Sequence, residues 1–118
     1  LSLVLLCGCG GESLYRVTGN VTWKGEPVAK GYINFLPEDG VRTPSSAKII
    51  NGQYEAWVPK GRMKIELVGE RDLGFKPEVN QNVREALIPP EYNAKSELIL
   101  EVEPHNKNTA DFSLPKRK

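Results

Sequence analysis

Cysteine, histidine and methionine are scarce in this chain of 118 residues, which has two cysteines, one histidine and one methionine. Cys7 and Cys9 are separated by one residue near the start of the sequence, so they cannot cross-link a fold. The single histidine, His105, leaves too few ligands and bases for most metal sites and for most Ser/His or Cys/His catalysis. We therefore expect no enzymatic activity, no cofactor and no metal.

An excess of charge of one sign is also lacking. Lys and Arg total 16 and Asp and Glu total 15, so the formal net charge is +1. This balance gives no electrostatic reason to expect a nucleic-acid partner.

Long apolar runs are absent as well. The apolar stretch at residues 1–6 is too short to span a bilayer and is typical of the end of a signal-peptide apolar region. It leads into Leu6-Cys7-Gly8-Cys9, which resembles the lipobox of bacterial lipoproteins. The resemblance implies cleavage before Cys9 and attachment of acyl chains, palmitate among them, to that residue. Cys7 is a poor acceptor because Leu6 would lie where a small side chain is needed.

This interpretation divides the chain into a signal-peptide remnant (residues 1–8), a lipidated Cys9 with a short tether (residues 9–14) and one domain (residues 15–118). It predicts a protein of the cell envelope, bound to a membrane through its lipid anchor and facing the periplasm or the exterior. A generic secretory signal with cleavage nearby remains the alternative.

Alternating apolar and polar residues dominate the rest of the chain and predict β-strands. The Asn51-Gly52 pair between two such runs predicts a tight hairpin. The seven predicted strands cover residues 16–23, 32–36, 47–50, 53–58, 62–67, 97–102 and 109–114. We expect an all-β, seven-stranded Greek-key sandwich.

Residues 71–96 lack a strand pattern and contain several prolines and asparagines. We predict a long loop there, between the fifth and sixth strands, with at most a short helix over residues 78–87. Loops of this length are more often functional or packed than idle.

Motifs along the chain resemble those of carboxypeptidase regulatory-like domains. The matching segments are Val17-Thr18-Gly19-Asn20-Val21, Gly25-Glu26-Pro27, Gly31-Tyr32-Ile33-Asn34-Phe35 and Asn51-Gly52-Gln53-Tyr54. Ile88-Pro89-Pro90-Glu91-Tyr92-Asn93 and Phe112-Ser113-Leu114 are similar to late segments of small bacterial envelope lipoproteins built on this domain. The chain departs from that group at Lys95-Ser96-Glu97-Leu98 and at Met63. The resemblance implies a transthyretin-like (prealbumin-like) fold and no catalysis.

Two functions remain open. The first is a non-catalytic envelope module with a structural or protein-interaction role. The second is a carbohydrate-binding module that uses exposed aromatic side chains, with Trp57, Tyr32 and Tyr92 as the candidate ligand-binding residues. Core packing or cover by the long loop is the competing expectation for Trp57, and Tyr92 is expected to hold the loop against the sandwich. We interpret Glu38-Asp39-Gly40 as an ordinary turn rather than a calcium site.

Overall fold

A computed structural model describes residues 13–115. This part of the chain is all-β, as predicted, and contains one short 3-10 turn, Pro90–Tyr92. Its ten strands are β1 Tyr15–Trp23, β2 Glu26–Pro27, β3 Lys30–Pro37, β4 Ser45–Ile50, β5 Gln53–Val58, β6 Gly61–Lys76, β7 Gln81–Ala86, β8 Leu98–Val102, β9 Asn108–Thr109 and β10 Phe112–Leu114.

The strands form one curled sheet in the order β10-β1-β5-β4-β3-β6-β7, with β2 and β9 paired to β1 and β8 paired to β6. Pairing is antiparallel except where β9 and β10 run parallel to β1. Strands β4 and β5 share a single residue pair, Ile50 with Gln53, so the sheet bends there and its two halves face each other. The rings of Phe35 on β3 and Tyr54 on β5 lie 6.2 Å apart across that interior.

Side-chain alternation fills the interior from both halves. Residues at every second position of β3, of β5 and of β6 as far as Gly69 are buried. Burying a large aliphatic side chain stabilises a fold by about 1.5–3 kcal/mol, so this repeated pattern supplies the main driving force for the curled sheet. The largest fully buried side chains are those of Phe35, Ile33, Ile49, Met63, Ile65, Leu67, Ile88 and Leu114.

The predicted Asn51-Gly52 hairpin is confirmed. Both turn residues have positive φ, 53° and 79°, which is the geometry of a tight two-residue turn that matches the twist of its strands. Lys24 and Gly25 adopt the same kind of turn between β1 and β2, with φ of 53° and 86°.

The predicted long loop at residues 71–96 is wrong for its first part, and the strand count is ten rather than seven. Strand β6 continues to Lys76, the chain turns at residues 77–80, and β7 returns antiparallel to it. The helix considered for residues 78–87 is absent, because most of that segment is β7. We call residues 71–86 the arm. Both of its faces are largely exposed, so its sequence shows no apolar alternation.

Candidate functional site

A groove of about 1290 Å³ lies where the arm joins the sheet. Its walls come from the first residues of the arm on one side and from the β2–β3 link and the β4–β5 turn on the other. The side chains that matter below are Lys24, Lys30, Tyr32, Lys48, Ile50 and Asp72.

Tyr32 is the exposed aromatic residue of this groove. It lies on the outer face of β3, opposite Lys48 of β4 and Val68 of β6, and 47% of its surface is exposed. The next residue on the same face of β4 is Ile50, which lies opposite Lys30 and is also exposed. The groove therefore offers an aromatic ring and an aliphatic side chain beside two lysines.

Ion pairs connect the base of the arm to the sheet. Asp72 lies 3.3 Å from the Lys30 ammonium and 3.4 Å from the Arg84 guanidinium, and Arg84 also lies 3.2 Å from Glu70. Arg71 pairs with Glu85 across the arm. Exposed pairs of this kind contribute little stability singly, about 0–1 kcal/mol, but together they orient the arm.

Two cations of the groove are not used in this network. Within residues 13–115, Lys24 and Lys48 form no ion pair. The Lys24 ammonium instead lies 5.5 Å from the centre of the Trp23 ring. These lysines are available to an anionic group that enters the groove.

Trp57 does not belong to this groove. It lies on the outer face of β5, opposite Arg16 of β1, and 49% of its surface is exposed. The expectation that it packs in the core or under the long loop is therefore wrong. Tyr32 and Trp57 point outward from the two opposite halves of the curled sheet, so the structure does not bring them together.

Tyr92 is buried, with 7% of its surface exposed, and its ring meets Trp23 edge-on at 6.4 Å. It packs the 3-10 turn against the core, as expected for a residue that holds this segment in place. A ligand at the surface cannot stack on its ring. Of the three candidate residues, only Tyr32 lines the groove.

The remaining polar candidates have structural partners. Asp39 accepts hydrogen bonds from the backbone N–H groups of Val41 and Arg42, at 2.8 and 3.2 Å, and these bonds hold the pKa of its carboxyl below its usual value. It therefore closes a turn, as predicted. His105 is exposed in a turn, where its Nδ1 accepts a hydrogen bond from the backbone of Lys107 at 3.1 Å.

No group of three or more His, Cys, Asp or Glu side chains within residues 13–115 is placed to hold a metal ion. The same residues include no helix with the length and apolarity of a membrane span. Cys9, the signal-peptide remnant and most of the tether lie outside the described residues.

The exposed apolar residues of the arm were not among the residues predicted from the sequence. Leu73, Phe75 and Val79 are all exposed, Phe75 by 56%. The charges in the sequence did indicate a hairpin. Arg71 and Glu85 have opposite charges at matching distances from the turn, and so do Asp72 and Arg84. Opposite charges at mirrored positions favour antiparallel pairing.

Comparison with known proteins gave few matches. No family model and no curated protein matches the chain. One similar solved structure is a DUF3823 family protein from Parabacteroides merdae, with 16% identity and a TM-score of 0.47, covering 87% of this chain and 46% of that protein. Another is a 9R-lipoxygenase from Cyanothece, with 16% identity and a TM-score of 0.37, covering 86% of this chain and 16% of that enzyme. The chain thus spans less than half of either protein, and the similarity carries no argument about function.

Proposed function

We propose that this chain is a non-catalytic, lipid-anchored module of the bacterial cell envelope with a protein-interaction role. The observation that carries the interaction role is the arm, a two-stranded ribbon that extends beyond the rest of the sheet with exposed apolar side chains.

The arm has the properties of a binding element. A two-stranded ribbon is at best marginally stable in water without a covering layer. Leu73, Phe75 and Val79 are exposed within 16 residues of chain, and clustered exposed apolar residues are typical of interaction sites. A partner that covers them would stabilise the arm and gain binding free energy from the same contact.

The anchoring part of the proposal rests on the lipobox resemblance at Cys9. The all-β fold is compatible with a carboxypeptidase regulatory-like, transthyretin-like domain over residues 15–118, and that finer assignment is part of the proposal. A diacylated or triacylated cysteine would hold the domain stably at a membrane, since each buried CH₂ group contributes about 0.8 kcal/mol.

Metabolic labelling with a clickable palmitate analogue tests the anchor, with the chain expressed behind a complete export leader. The parent and Cys7→Ser should be labelled and should partition into detergent, and Cys9→Ser should do neither. Equal labelling of Cys9→Ser would refute the assignment. Cys7→Ser is the matched control, because it removes the neighbouring thiol and leaves the predicted acceptor.

Capture from detergent-solubilised envelope tests the interaction. The parent chain should recover a reproducible protein partner, and Phe75→Asp should lose it. Val41→Asp is the matched control, because Val41 is an apolar residue that is 84% exposed and lies outside the arm. Capture that is insensitive to Phe75→Asp would contradict a role for the arm.

The groove supports carbohydrate binding as a second candidate function, because Tyr32 offers a ring face beside hydrogen-bonding lysines. Binding to isolated cell wall should then fall with Tyr32→Ala and persist with Trp57→Ala, since only Tyr32 lines the groove. Silence on a glycan array, with no effect of Tyr32→Ala, would remove this candidate.

A further inference from the structure

We propose that the partner of the arm is a second copy of this chain, bound as a two-fold symmetric dimer in which each arm lies along the arm of the other copy and reaches its groove. This inference rests on the proposed interaction role and names its partner.

An open strand edge provides the place for the second copy. Strand β3 pairs with β6 only as far as Lys30 with Glu70. Beyond that point, the last six residues of β6, Arg71–Lys76, pair with β7 along one edge. No strand within residues 13–115 occupies their other edge, which continues the line of β3. An arriving strand can take that position by β-addition.

Antiparallel pairing about Gly74 makes this edge complementary to itself. In this register Leu73 lies opposite Phe75 of the second copy. This contact is repeated by symmetry, so the dimer gains two apolar pairs. The bulge at Leu73 puts Asp72 and Lys76 on opposite faces of the arm, so these two residues form no pair across the two-fold axis. Gly74 lies opposite Gly74 of the second copy, and the absence of side chains there permits the two backbones to approach closely. Within one copy, the space around Gly74 is open.

The β-bulge between Asp72 and Gly74 keeps this ladder short, so the rest of the interface must come from the tip. The arm extends about 20 Å beyond Lys30, at about 3.3 Å per residue. With the two-fold axis at Gly74, the tip of each arm lies at the level of the groove of the other copy.

The tip and the groove match in character. The tip carries Val79, which is exposed, and Glu78, which forms no ion pair within the described residues. The groove presents the exposed side chains of Tyr32 and Ile50 beside Lys24 and Lys48, the two lysines without ion pairs. Apolar groups thus meet apolar groups, and an unpaired carboxylate meets unpaired cations. A lipid surface would cover the tip but would leave the groove and the open edge unfilled.

Sedimentation equilibrium tests the dimer, using the full chain with Cys7 and Cys9 changed to serine so that neither a disulfide nor an acyl chain contributes. The parent should show a monomer–dimer equilibrium. Phe75→Asp should raise the dissociation constant at least about tenfold, because it places a charge in the apolar pair. Val41→Asp should leave the constant unchanged.

Disulfide trapping tests the register in the same serine background. A mixture of Leu73→Cys and Phe75→Cys chains should form a cross-linked dimer on oxidation, because facing residues of a strand pair lie about 4.5–5.5 Å apart at Cβ. Either variant alone should cross-link far less, since its two cysteines are two residues out of register. A mixture of Leu73→Cys and His105→Cys is the negative control.

A chain that sediments as a monomer at every concentration, or a dimer that tolerates Phe75→Asp and gives no trapped product, would overturn the inference. If such a monomer still captures an envelope protein through Phe75, the proposed interaction role stands and only the second copy is excluded as its partner.

Discussion

Gly19 and Tyr54 form a closely packed junction between β1 and β5. They face each other on β1 and β5. The Tyr54 hydroxyl donates a hydrogen bond to the carbonyl oxygen of Ala110 at 2.6 Å, and that carbonyl lies directly over Gly19. A Cβ at position 19 would lie 1.8 Å from this oxygen. The segment before β10 can therefore close on β1 only because residue 19 has no side chain.

Gly19→Ala should destabilise the fold by about 3 kcal/mol, since the new methyl group must displace backbone rather than a side chain. Urea unfolding measures the loss. Ser113→Ala, at an exposed position of β10, is the control and should change the free energy of unfolding by about 0.5 kcal/mol or less. An unchanged midpoint for Gly19→Ala would show that the close approach is not present in solution.

Tyr54→Phe should destabilise the fold by about 1–2 kcal/mol, because the partly buried Ala110 carbonyl loses its donor. Tyr32→Phe is the matched control, since its hydroxyl is at an exposed position, and it should be near neutral. Thermal unfolding of the two variants under identical conditions distinguishes them. Equal melting temperatures for both variants would contradict the contribution of the hydrogen bond.

The same tyrosine predicts a pH dependence. Burial, and secondarily the charge of Asp111, raises the pKa of Tyr54 above its usual value of 10.0. The contribution of the neutral Tyr54 hydroxyl to the free energy of unfolding is therefore complete below about pH 10. It is lost as pH rises above that value, because Tyr54 ionises at lower pH in the unfolded chain than in the folded one. Urea titrations between pH 8 and 11 should show stability falling faster in the parent than in Tyr54→Phe, and parallel curves would contradict this assignment.

Among the elements, the arm draws little of its stability from the core. Its strands are joined by backbone pairing and by exposed ion pairs such as Arg71 with Glu85, whereas β3 and the first part of β6 bury every second side chain. Free energies of local opening follow buried apolar contact. The arm should therefore open at a lower free energy than the sheet that supports it.

Hydrogen exchange should show this difference. At dilution, amides of residues 71–86 should exchange much faster than those around Ile33 and Ile65, which are fully buried. If a second copy covers the arm, its protection should rise with protein concentration while that of the core strands stays constant. Protection of the arm equal to that of the core in the monomer would contradict this view of the element.

At the scale of the whole molecule, β6 separates the start of the domain, which the proposed anchor would precede, from the arm. The start of β1 lies beside the end of β5, which leads directly into the start of β6. Strand β6 has 16 residues and is thus about 50 Å long, at about 3.3 Å per residue. The tip of the arm therefore lies at the opposite end of the molecule from the residue at which the domain begins.

Lipidation at Cys9 should consequently hold the arm away from the membrane. In vesicles, a fluorophore on His105→Cys should be quenched by headgroup acceptors more strongly than one on Val79→Cys, in a Cys7→Ser background. His105 belongs to the turn beside the start of β1, where Asn106 accepts a hydrogen bond from the backbone of Arg16. Stronger quenching at Val79 would show that the molecule lies with its arm against the membrane.

Several features followed from the sequence because their causes are local. Alternation along single strands predicted core strands such as β3, β5 and the first part of β6, and Asn51-Gly52 predicted its turn because few residues tolerate positive φ. Tyr92 was predicted to hold its part of the chain against the rest of the domain, and its buried ring does so.

The arm and the groove depend on contacts between distant parts of the chain. An exposed ribbon needs no apolar alternation, so residues 71–86 resembled a loop until their pairing was seen. The separation of Tyr32 from Trp57 depends on which half of the curled sheet each strand joins, and the alternation within a strand is the same in either half. The sequence by itself thus determined the all-β class, most of the core strands and the candidate anchor at Cys9. Only the tertiary structure decided which outward side chains share a surface, because that follows from how the strands are assembled.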